Sequence, residues 1–386
     1  MKKSILILFI FMGITCSISQ ELISNAEWIK KTSCTKNADL IANQAMESML
    51  NLEYLIAYGQ AKSALLLDAD CGCALLTLAR VSSGNEEWGS RQSKLSKISR
   101  GSLSLEEKAW YDILSSSDDE FKNEIEKAKQ SFPMSPLFNF MFDYNDMQAF
   151  KKFAVDFPNN ASAAYNSLSY GFMNGGGEGA DYKNAMEVAK KATILHNGPN
   201  TYDSMAEHEF NQGNYKEALS YQHQAIDFGT FSSPYWVRAR MYYSLVNKEE
   251  VVATLVENQK AIQEAFFKND FESYSKLVDS SSPLVAGDSN LQPFYTVDKS
   301  SFDKELVEVT WNLFELYDFE AHFSPSMTTA VLTFYAKGAY VVEGSDSEVT
   351  YRTRASSVWV DTDDGWKIMH ENFAPQKDAS GIPSRE

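Results

Sequence analysis

The sequence predicts a chain of several domains, in which an all-α array of helical repeats precedes an α+β domain built on an antiparallel sheet. Three observations lead to this prediction. The chain has 386 residues, which exceeds the usual size of one domain. Its middle part repeats itself with helical spacing, and from Tyr317 onward apolar and polar residues alternate as they do in strands. Helices followed by a run of antiparallel strands are typical of an α+β domain.

The N-terminus, residues 1–19, has the pattern of a secretory signal peptide. Two lysines precede an apolar run over residues 5–14, and small residues stand before a cleavage point at Gln20. This run is shorter than the ~20 residues of a spanning helix, and no other stretch of the sequence is as long as that. We therefore expect an exported protein, periplasmic or extracellular, without a membrane span. A lipoprotein modified at Cys16 is the less favoured alternative, because the preceding residues match a lipobox poorly.

Three further cysteines are Cys34, Cys71 and Cys73. An exported chain permits disulfides, so we expect either one structural bridge, from Cys34 to one of the other two, or buried thiols. A Cys-x-Cys sequence without a second pair or a nearby histidine is weak evidence for a metal ligand set. The sequence therefore predicts no metal site and no cofactor.

The formal net charge of the chain is −17. An acidic surface repels phosphate backbones and anionic headgroups, which argues against binding to nucleic acid or to a membrane surface. Acidity by itself identifies no partner.

Two segments in the middle of the chain are alike. Tyr182-Lys-Asn-Ala185 and Tyr215-Lys-Glu-Ala218 are 33 residues apart, and the same offset relates Ala192 to Ala225. These small residues share one helical face, where neighbouring helices can approach closely.

The unit 199–229 is predicted to form a helix, a tight turn and a second helix, and it resembles a tetratricopeptide repeat (TPR). The residues on the signature positions of that repeat are Tyr202, Ala206, Gly213, Tyr215, Ala218 and Ala225. The preceding repeat departs from the pattern by an insertion at residues 175–179. We interpret residues 26–248 as a TPR-like array whose early repeats are degenerate.

The resemblance to TPR arrays implies a concave surface that binds an extended peptide or a partner domain. Tyr235, Arg238 and Tyr242 lie at positions i, i+3 and i+7 of the last repeat and are the candidate residues of that surface. Stacking of this helix onto the following domain explains the same pattern equally well.

The C-terminal region is predicted as two helices followed by strands. Helical spacing covers residues 255–278 and 302–316, with a loop rich in serine, glycine and proline between them at residues 280–292. The predicted strands are residues 319–323, 328–336, 339–343, 349–360 and 366–373, with hairpin turns at residues 344–346 and 363–365. Residues 377–386 are predicted to be a polar tail.

The last hairpin carries a second resemblance. Arg354 to Trp359, the turn Asp363-Asp364-Gly365 and the strand Trp366 to His370 resemble the terminal hairpin of nuclear-transport-factor-2-like (NTF2-like) domains of the SnoaL-like and DUF4440-like branches. The resemblance implies that residues 251–376 form a cone, in which helices wrap a curved antiparallel sheet around one cavity. Such domains either bind a small molecule or act on one, and some form dimers.

Candidate pocket residues follow from this resemblance. An arginine at the position of Arg354 commonly points toward the cavity, where it can bind a carboxylate, and Arg352 and Ser356 share its strand face. Tyr335 and Trp311 are further candidates, although Trp311 on the second predicted helix is better explained as a core residue. The alternative for both arginines is an exposed sheet face.

The last strand carries His370 and Asn372, which are candidates for the rim of the pocket, on one predicted face together with Trp366 and Ile368. Related families often end in His-x-His-x-Ser followed by proline, whereas this chain has Asn372 and Ala374 in place of the second histidine and the serine. A titrating group and a hydroxyl are thereby missing from the expected pocket. We assign no catalytic residue, because a lone histidine is more often structural.

These observations predict an exported, non-catalytic binding protein. Its helical repeats would bind a protein or peptide, and its C-terminal pocket would hold a small polar or anionic molecule or seal a homodimer. One alternative is a SnoaL-like acid–base enzyme (a lyase, isomerase or hydrolase), which predicts a buried pocket carboxylate or histidine opposite tyrosine or arginine. The other is a structural adaptor whose cavity is filled with side chains.

Overall fold

The computed structural model describes residues 26–82, 89–141, 146–175, 181–229, 233–279, 281–288, 293–303 and 309–382. The predicted signal peptide, Cys16 and most of the 175–179 insertion lie outside these ranges. The chain divides into two compact units, which we call the helical unit (up to Ala239) and the sheet unit (from Arg240). None of the described helices combines the length and apolarity that crossing a membrane requires.

The regular elements described in the first unit are helices. Their bounds are α1 Lys36–Leu50, α2 Tyr54–Leu67, α3 Gly72–Val81, α4 Arg91–Leu95, α5 Leu105–Ser115, α6 Asp118–Ser131, α7 Pro136–Asn139, α8 Met147–Asp156, α9 Ser162–Met173, α10 Tyr182–Leu195, α11 Pro199–Asn211, α12 Tyr215–Phe228 and α13 Ser233–Val246. The unit boundary falls within α13.

Short polar residues begin several of these helices. Ser104 accepts a hydrogen bond from the backbone N–H of Glu107, whose side chain accepts one from the Ser104 backbone in return. Asp181 caps α10 in the same way through the N–H of Asn184. Such caps satisfy amide groups that a helix start leaves without partners.

The helices of the predicted repeats pack in pairs, α9 with α10 and α11 with α12, and α10 also packs against α11. Ala185, Ala192, Ala218 and Ala225 are all fully buried. Alanine lets two helix backbones approach closely, so these positions explain the pairing. Gly213 in the α11–α12 turn has a φ of 78°, a conformation that glycine adopts without strain.

The early helical unit has its own aromatic core around Trp28. Trp28 is fully buried, and its ring lies 5.7 Å from that of Phe140 and 6.1 Å from that of Phe153. Cys34 and Cys71 form a disulfide that ties this N-terminal segment to the start of α3. Cys73 is a buried free thiol.

The sheet unit contains three further helices and the strands of a single sheet. The bounds are α14 Lys248–Phe267, α15 Phe271–Ser275, α16 Lys299–Asp303, β1 Val285–Asp288, β2 Tyr295–Thr296, β3 Val309–Phe323, β4 Thr329–Val342, β5 Glu348–Thr362 and β6 Gly365–Pro375. The strand order is β2-β1-β6-β5-β4-β3. The prediction of helices followed by a sheet is confirmed.

The sheet is mixed rather than wholly antiparallel. β1 runs parallel to β6, with Val285 opposite His370 and Asp288 opposite Phe373. β1 and β2 lie where the sequence predicts a loop or no strand, because short strands among serine, glycine and proline give little alternation. The remaining pairs, β3–β4, β4–β5 and β5–β6, are antiparallel as expected.

Two predicted helices differ from the structure. The first ends at Phe267 and resumes as the short α15, because Asn269 adopts a left-handed φ of 53°. The second, predicted over residues 302–316, is wrong in its larger part, because residues 309–316 belong to β3. Trp311 therefore lies on a strand.

The predicted break between strands 328–336 and 339–343 is also wrong. β4 continues through Gly338, so this glycine does not form a turn. It allows the backbone of β3 to approach closely, since a Cβ atom there would lie 2.5 Å from the Leu313 carbonyl oxygen. The two predicted hairpin turns are present, and Gly344 and Gly365 have φ values of 77° and 87°.

The segment predicted as a polar tail is tied to the sheet over its described part. Ser380 forms a parallel bridge with Tyr351, and the Tyr340 hydroxyl donates to the Gly381 carbonyl at 2.8 Å. Ile382 packs against the core.

Candidate functional site

One face of the sheet is covered and the other is open. Along β5, Tyr351, Thr353, Ala355, Ser357 and Trp359 are buried, whereas the residues between them are exposed or half-buried. The alternation of a strand produces this division. Amide side chains of α14 reach the buried face, where Gln259 and Gln263 both donate to Glu371. The opposite side of the sheet is the open face.

A groove of about 820 Å³ runs across the open face. Its polar side chains come from four neighbouring strands: Asp318, Glu320, Thr333, Tyr335, Arg354, Ser356 and Asn372. Strand register arranges them in rows that cross the sheet. Glu320 is opposite Thr333, which is opposite Ser356, which is opposite Asn372. The adjacent row contains Tyr335 and Arg354.

Arg354 is the cation of this groove. It is exposed, and no residue that the structure describes forms an ion pair or hydrogen bond with its guanidinium group. It shares the open face with Ser356, as strand alternation predicts. The groove it lines is on the open face of the sheet, however, and not between the sheet and the helices as the family resemblance implies.

Arg352 lies on the same face but outside the groove. It is exposed, and its cross-strand neighbour is Lys337. The Lys337 ammonium lies 2.9 Å from a Glu315 carboxylate oxygen and 5.0 Å from the centre of the Tyr317 ring. None of these residues lines the groove, although the charge of Lys337 interacts with that of Asp318, which does.

A β-bulge places two carboxylates at the other side of the groove. The register of β3 shifts between Tyr317 and Glu320, and Asp318 within this bulge has a left-handed φ of 54°. Bulges redirect side chains, and aspartate tolerates this backbone conformation better than most residues. The charge of Asp318 interacts with that of Lys337, and Glu320 has one weak exposed contact, with His322 at 3.7 Å.

His370 and Asn372 also lie on the open face, and only Asn372 lines the groove. The His370 ring lies 5.5 Å from that of Phe294. A second bulge, on β6 at Met369, moves Ile368 to the buried face, so the predicted sharing of one face by Ile368 and His370 is wrong.

Trp311 is a core residue and does not line the groove. Its ring lies 5.2 Å from Tyr340 and 5.1 Å from Tyr351, two residues of the buried face. The interpretation of Trp311 as packing rather than pocket lining agrees with these contacts.

The predicted partner surface on α13 is only partly exposed. Tyr242 is 1% exposed, which removes it from the candidate surface. Tyr235 is half-buried, and the half-buried Arg238 forms ion pairs with Asp203 and Glu207 of α11. Arg238 is thus committed to neighbouring acids and is not available as a free cation.

Glu371 carries a buried carboxyl group and is not among the site residues predicted from the sequence. Its side chain is 4% exposed and accepts hydrogen bonds from Gln259 Nε2 and Gln263 Nε2, each 3.2 Å from Oε2. Burial raises the pKa of Glu371 to about 7, the Gln259 hydrogen bond opposes this shift, and the charge of Asp288 adds to it. Its alternation with Phe373 is the sequence signal that could have identified a carboxyl group on the apolar face.

Two tyrosines interact electrostatically with this carboxyl group. Burial raises the pKa of Tyr351, and the negative charges of Asp288 and Glu371 raise it further. Burial likewise raises the pKa of Tyr274, with the Glu371 charge as the next cause. Glu371 thus lies among groups that stay protonated at neutral pH. Within the described ranges, no three acidic, histidine or cysteine side chains are grouped as metal ligands would be.

Comparison with known proteins gives similarity for part of the chain. No protein-family model and no curated protein matches it. Similar solved structures include an NTF2-like superfamily protein from Salmonella enterica serovar Typhimurium, at 16% identity, TM-score 0.28 and coverage of 36% of this chain and 99% of that one. An NTF2-like protein from Cytophaga hutchinsonii has 14% identity, a TM-score of 0.26 and coverage of 32% and 97%.

A calcium/calmodulin-dependent kinase II (CaMKII) hub from S. rosetta is similar at 18% identity and a TM-score of 0.27, covering 32% of this chain and 96% of that one. The similar NTF2-like structures thus correspond to about a third of the chain. At these values they identify neither a ligand nor an activity.

Proposed function

We propose that the sheet unit is an NTF2-like binding domain whose groove holds a small polar molecule by a carboxylate group. The observation that carries this proposal is Arg354, whose guanidinium lines the groove without an ion pair among the described residues. Guanidinium groups bind carboxylates in bidentate fashion. Ser356 and Asn372 beside it supply further hydrogen-bond donors. A volume of about 820 Å³ suits a small molecule.

The composition of the groove favours binding over catalysis. A general acid or base that works at neutral pH usually depends on burial or on a close like charge, whereas Asp318 and Glu320 are exposed. His370 is not among the described lining residues, and none of those residues is a histidine. The groove thus offers the Arg354 guanidinium beside hydrogen-bond donors, an arrangement that suits recognition of a ligand.

Arg354→Gln tests the proposal, with Arg352→Gln as the matched control on the same strand and face. The full mature chain is screened by ligand-observed NMR against a panel of monocarboxylates and amino acids. We expect at least one binder whose affinity falls tenfold or more in R354Q and is unchanged in R352Q. The proposal is wrong if no compound shows this dependence on Arg354.

An acid–base enzyme is the second candidate, and the buried Glu371 among Tyr351 and Tyr274 favours it. A carboxyl group with a pKa near neutrality can exchange protons at physiological pH. This candidate predicts turnover of a small hydroxy or carbonyl compound that falls at least a hundredfold in Glu371→Gln and persists in R354Q. Turnover that is equal in E371Q and the unmodified protein would remove Glu371 from consideration.

For the helical unit we propose a TPR-like array that binds a protein partner. The paired helices with buried alanines and the glycine turn at Gly213 support this proposal. A photocrosslinking residue at position 235 should give a discrete adduct in the cells of origin. The control is position 194, an exposed isoleucine of α10. Equal labelling at the two positions would contradict a specific surface.

The open sheet face offers a second use, the sealing of a homodimer. Tyr335 is 42% exposed on this face, so Tyr335→Glu would break a dimer formed through it. Light scattering of the unmodified chain distinguishes the two uses. A monomer supports an accessible groove, whereas a dimer that Y335E dissociates supports the sealed face.

Export of the protein is part of the same proposal. The Cys34–Cys71 disulfide supports it, because such bonds persist in oxidising compartments. N-terminal sequencing of the protein from its own cells should begin at Gln20. A lipid-modified Cys16 at the N-terminus would instead establish the lipoprotein alternative.

A further inference from the structure

The groove has two ends of opposite charge. Arg354 lies on β5, whereas Asp318 and Glu320 lie on β3, with β4 between them. Two strand spacings separate the backbones of β3 and β5 by about 10 Å. The guanidinium and the two carboxylates therefore belong to one groove but to different ends of it.

These charges do not neutralise one another directly. No described ion pair or hydrogen bond joins Arg354 to Asp318 or to Glu320. The charge of Asp318 interacts with that of Lys337, whose ammonium is itself paired with Glu315. Glu320 has only its exposed contact with His322. Each end of the groove thus keeps its capacity for an external partner.

The charge balance of the groove excludes a simple ion as the best ligand. Among the described lining residues, two carboxylates and one guanidinium give a formal charge of −1. A ligand with only a carboxylate would be attracted by Arg354 and repelled by the two acids. A ligand with only a positive charge would be attracted by the two acids and repelled by Arg354. A ligand that carries both charges is attracted at both ends.

The floor between the two ends is suited to an uncharged connecting segment. Thr333 and Tyr335 of β4 lie in the rows between the acids and Arg354, and the Tyr335 side chain is 42% exposed. An exposed tyrosine ring offers an apolar surface together with a hydroxyl. Methylene groups or a peptide bond could lie over it.

The bulge gives this arrangement a structural basis. Asp318 occupies a left-handed conformation, which is unusual for a residue other than glycine, and it does so within the bulge that sets its direction. In a regular β3, Asp318 and Glu320 would both lie on the face opposite that of Tyr317, whereas with the bulge both line the groove.

We propose that the groove binds a dipolar molecule with a carboxylate and an ammonium group separated by several bonds, such as an ω-amino acid or a short peptide. The carboxylate lies at Arg354, Ser356 and Asn372, and the ammonium lies at Asp318 and Glu320. This inference rests on the proposed binding function of the groove and names its ligand class.

Four probes of matched chemistry test the inference by calorimetry or NMR titration of the full mature chain. They are 6-aminohexanoate, hexanoate, hexylammonium and glycine, which carry separated charges, the anion alone, the cation alone and adjacent charges. We expect 6-aminohexanoate to bind at least tenfold more tightly than each of the other three. Raising the salt concentration should reduce this advantage, because the groups are exposed.

Variants assign each end of the ligand to its residues. Asp318→Asn with Glu320→Gln should weaken 6-aminohexanoate at least tenfold and leave hexanoate unchanged or tighter. R354Q should weaken both. The control is R352Q, which removes a charge of the same face outside the groove and should change neither affinity.

Two outcomes separate this inference from the function on which it rests. If hexanoate binds as tightly as 6-aminohexanoate and the double variant has no effect, the dipolar ligand class is wrong, while an Arg354-dependent binding site remains. If no probe and no member of the carboxylate and amino-acid panel depends on Arg354, the inference and the proposed function both fail.

Discussion

Buried carboxyl groups accept hydrogen bonds in different arrangements in the two units. In the helical unit, Glu47 accepts the indole N–H of Trp28 at 2.6 Å and the amide of Asn51 at 3.0 Å, one bond to each oxygen. In the sheet unit, both amide donors of Glu371 reach the same oxygen, at 3.2 Å each. The charged form of Glu47 is thus better compensated, although burial still raises its pKa.

A second pair in the helical unit extends the contrast. Glu53 is 5% exposed, and its oxygens contact His196 Nε2 at 2.8 Å and the backbone N–H of Asn200 at 3.2 Å. These partners lie about 140 residues further along the chain. Buried acids of the helical unit therefore hold distant segments together, whereas Glu371 lacks a cationic partner among the described residues and is poised to exchange a proton.

The largest loss of stability is expected at Trp28, which belongs to the aromatic core and also donates a hydrogen bond to the buried Glu47. Trp28→Ala would remove a fully buried indole and leave Glu47 without its shortest hydrogen bond. We expect the free energy of unfolding to fall by about 4 kcal/mol, as measured by urea denaturation at neutral pH.

Trp28→Phe is the matched control, because it keeps a buried ring and removes only the N–H donor. It should cost about half as much. A loss below about 1 kcal/mol in W28A would contradict the central place of Trp28 in this core.

The second prediction concerns the pH dependence that Glu371 imposes. Its pKa in the folded state is about 7, above the ordinary value of 4.5, so between these values the folded protein holds a proton that the unfolded chain has released. Stability should therefore fall as the pH rises from about 4.5 to 7, by about 3 kcal/mol in total.

Glu371→Gln should abolish this fall, because an amide does not ionise, and should make the protein more stable at pH 8. Urea denaturation across pH 4 to 8 measures both effects. E315Q, an exposed acid on β3, should keep the unmodified pH dependence. Parallel curves for E371Q and the unmodified protein would show that Glu371 does not titrate in this range.

The sequence predicted those features of the sheet unit that depend on local chemistry. Helices before strands, both hairpin turns and the shared face of Arg354 and Ser356 follow from periodicity and from glycine in turns. The helix predicted over residues 302–316 failed because β3 contains a bulge at 311–313, within the predicted range. A bulge adds a residue to one strand, which turns an alternating apolar pattern into one that resembles helical spacing.

The candidate site was only partly predictable for the same reason. Strand alternation places Arg354 and Ser356 together, but which face the helices cover depends on tertiary packing. Glu371 was missed because the bulge at Met369 separates it from the apolar pattern of Ile368. The acidic end of the groove likewise depends on the bulge at Asp318, and no local pattern of the sequence predicts this bulge.

The smallest of the three losses of stability is expected on removal of the Glu53–His196 contact. Here the buried acid has a histidine partner that can carry a positive charge. Burial lowers the pKa of His196, but the hydrogen bond and charge of Glu53, with the charge of Glu47, outweigh it and raise the pKa above 6.5. The stabilisation is therefore complete below about pH 6.5 and is lost as the pH rises through the folded-state pKa.

His196→Gln keeps a neutral donor and removes the charge. We expect a loss of about 1–2 kcal/mol at pH 6 that largely disappears at pH 9, measured in the E371Q background to exclude the titration of Glu371. His223→Gln, an exposed histidine of α12, should have no effect at either pH. An equal loss in H196Q at both pH values would mean that the contact acts as an ordinary hydrogen bond, and the contrast between the two units would then rest on Glu371 alone.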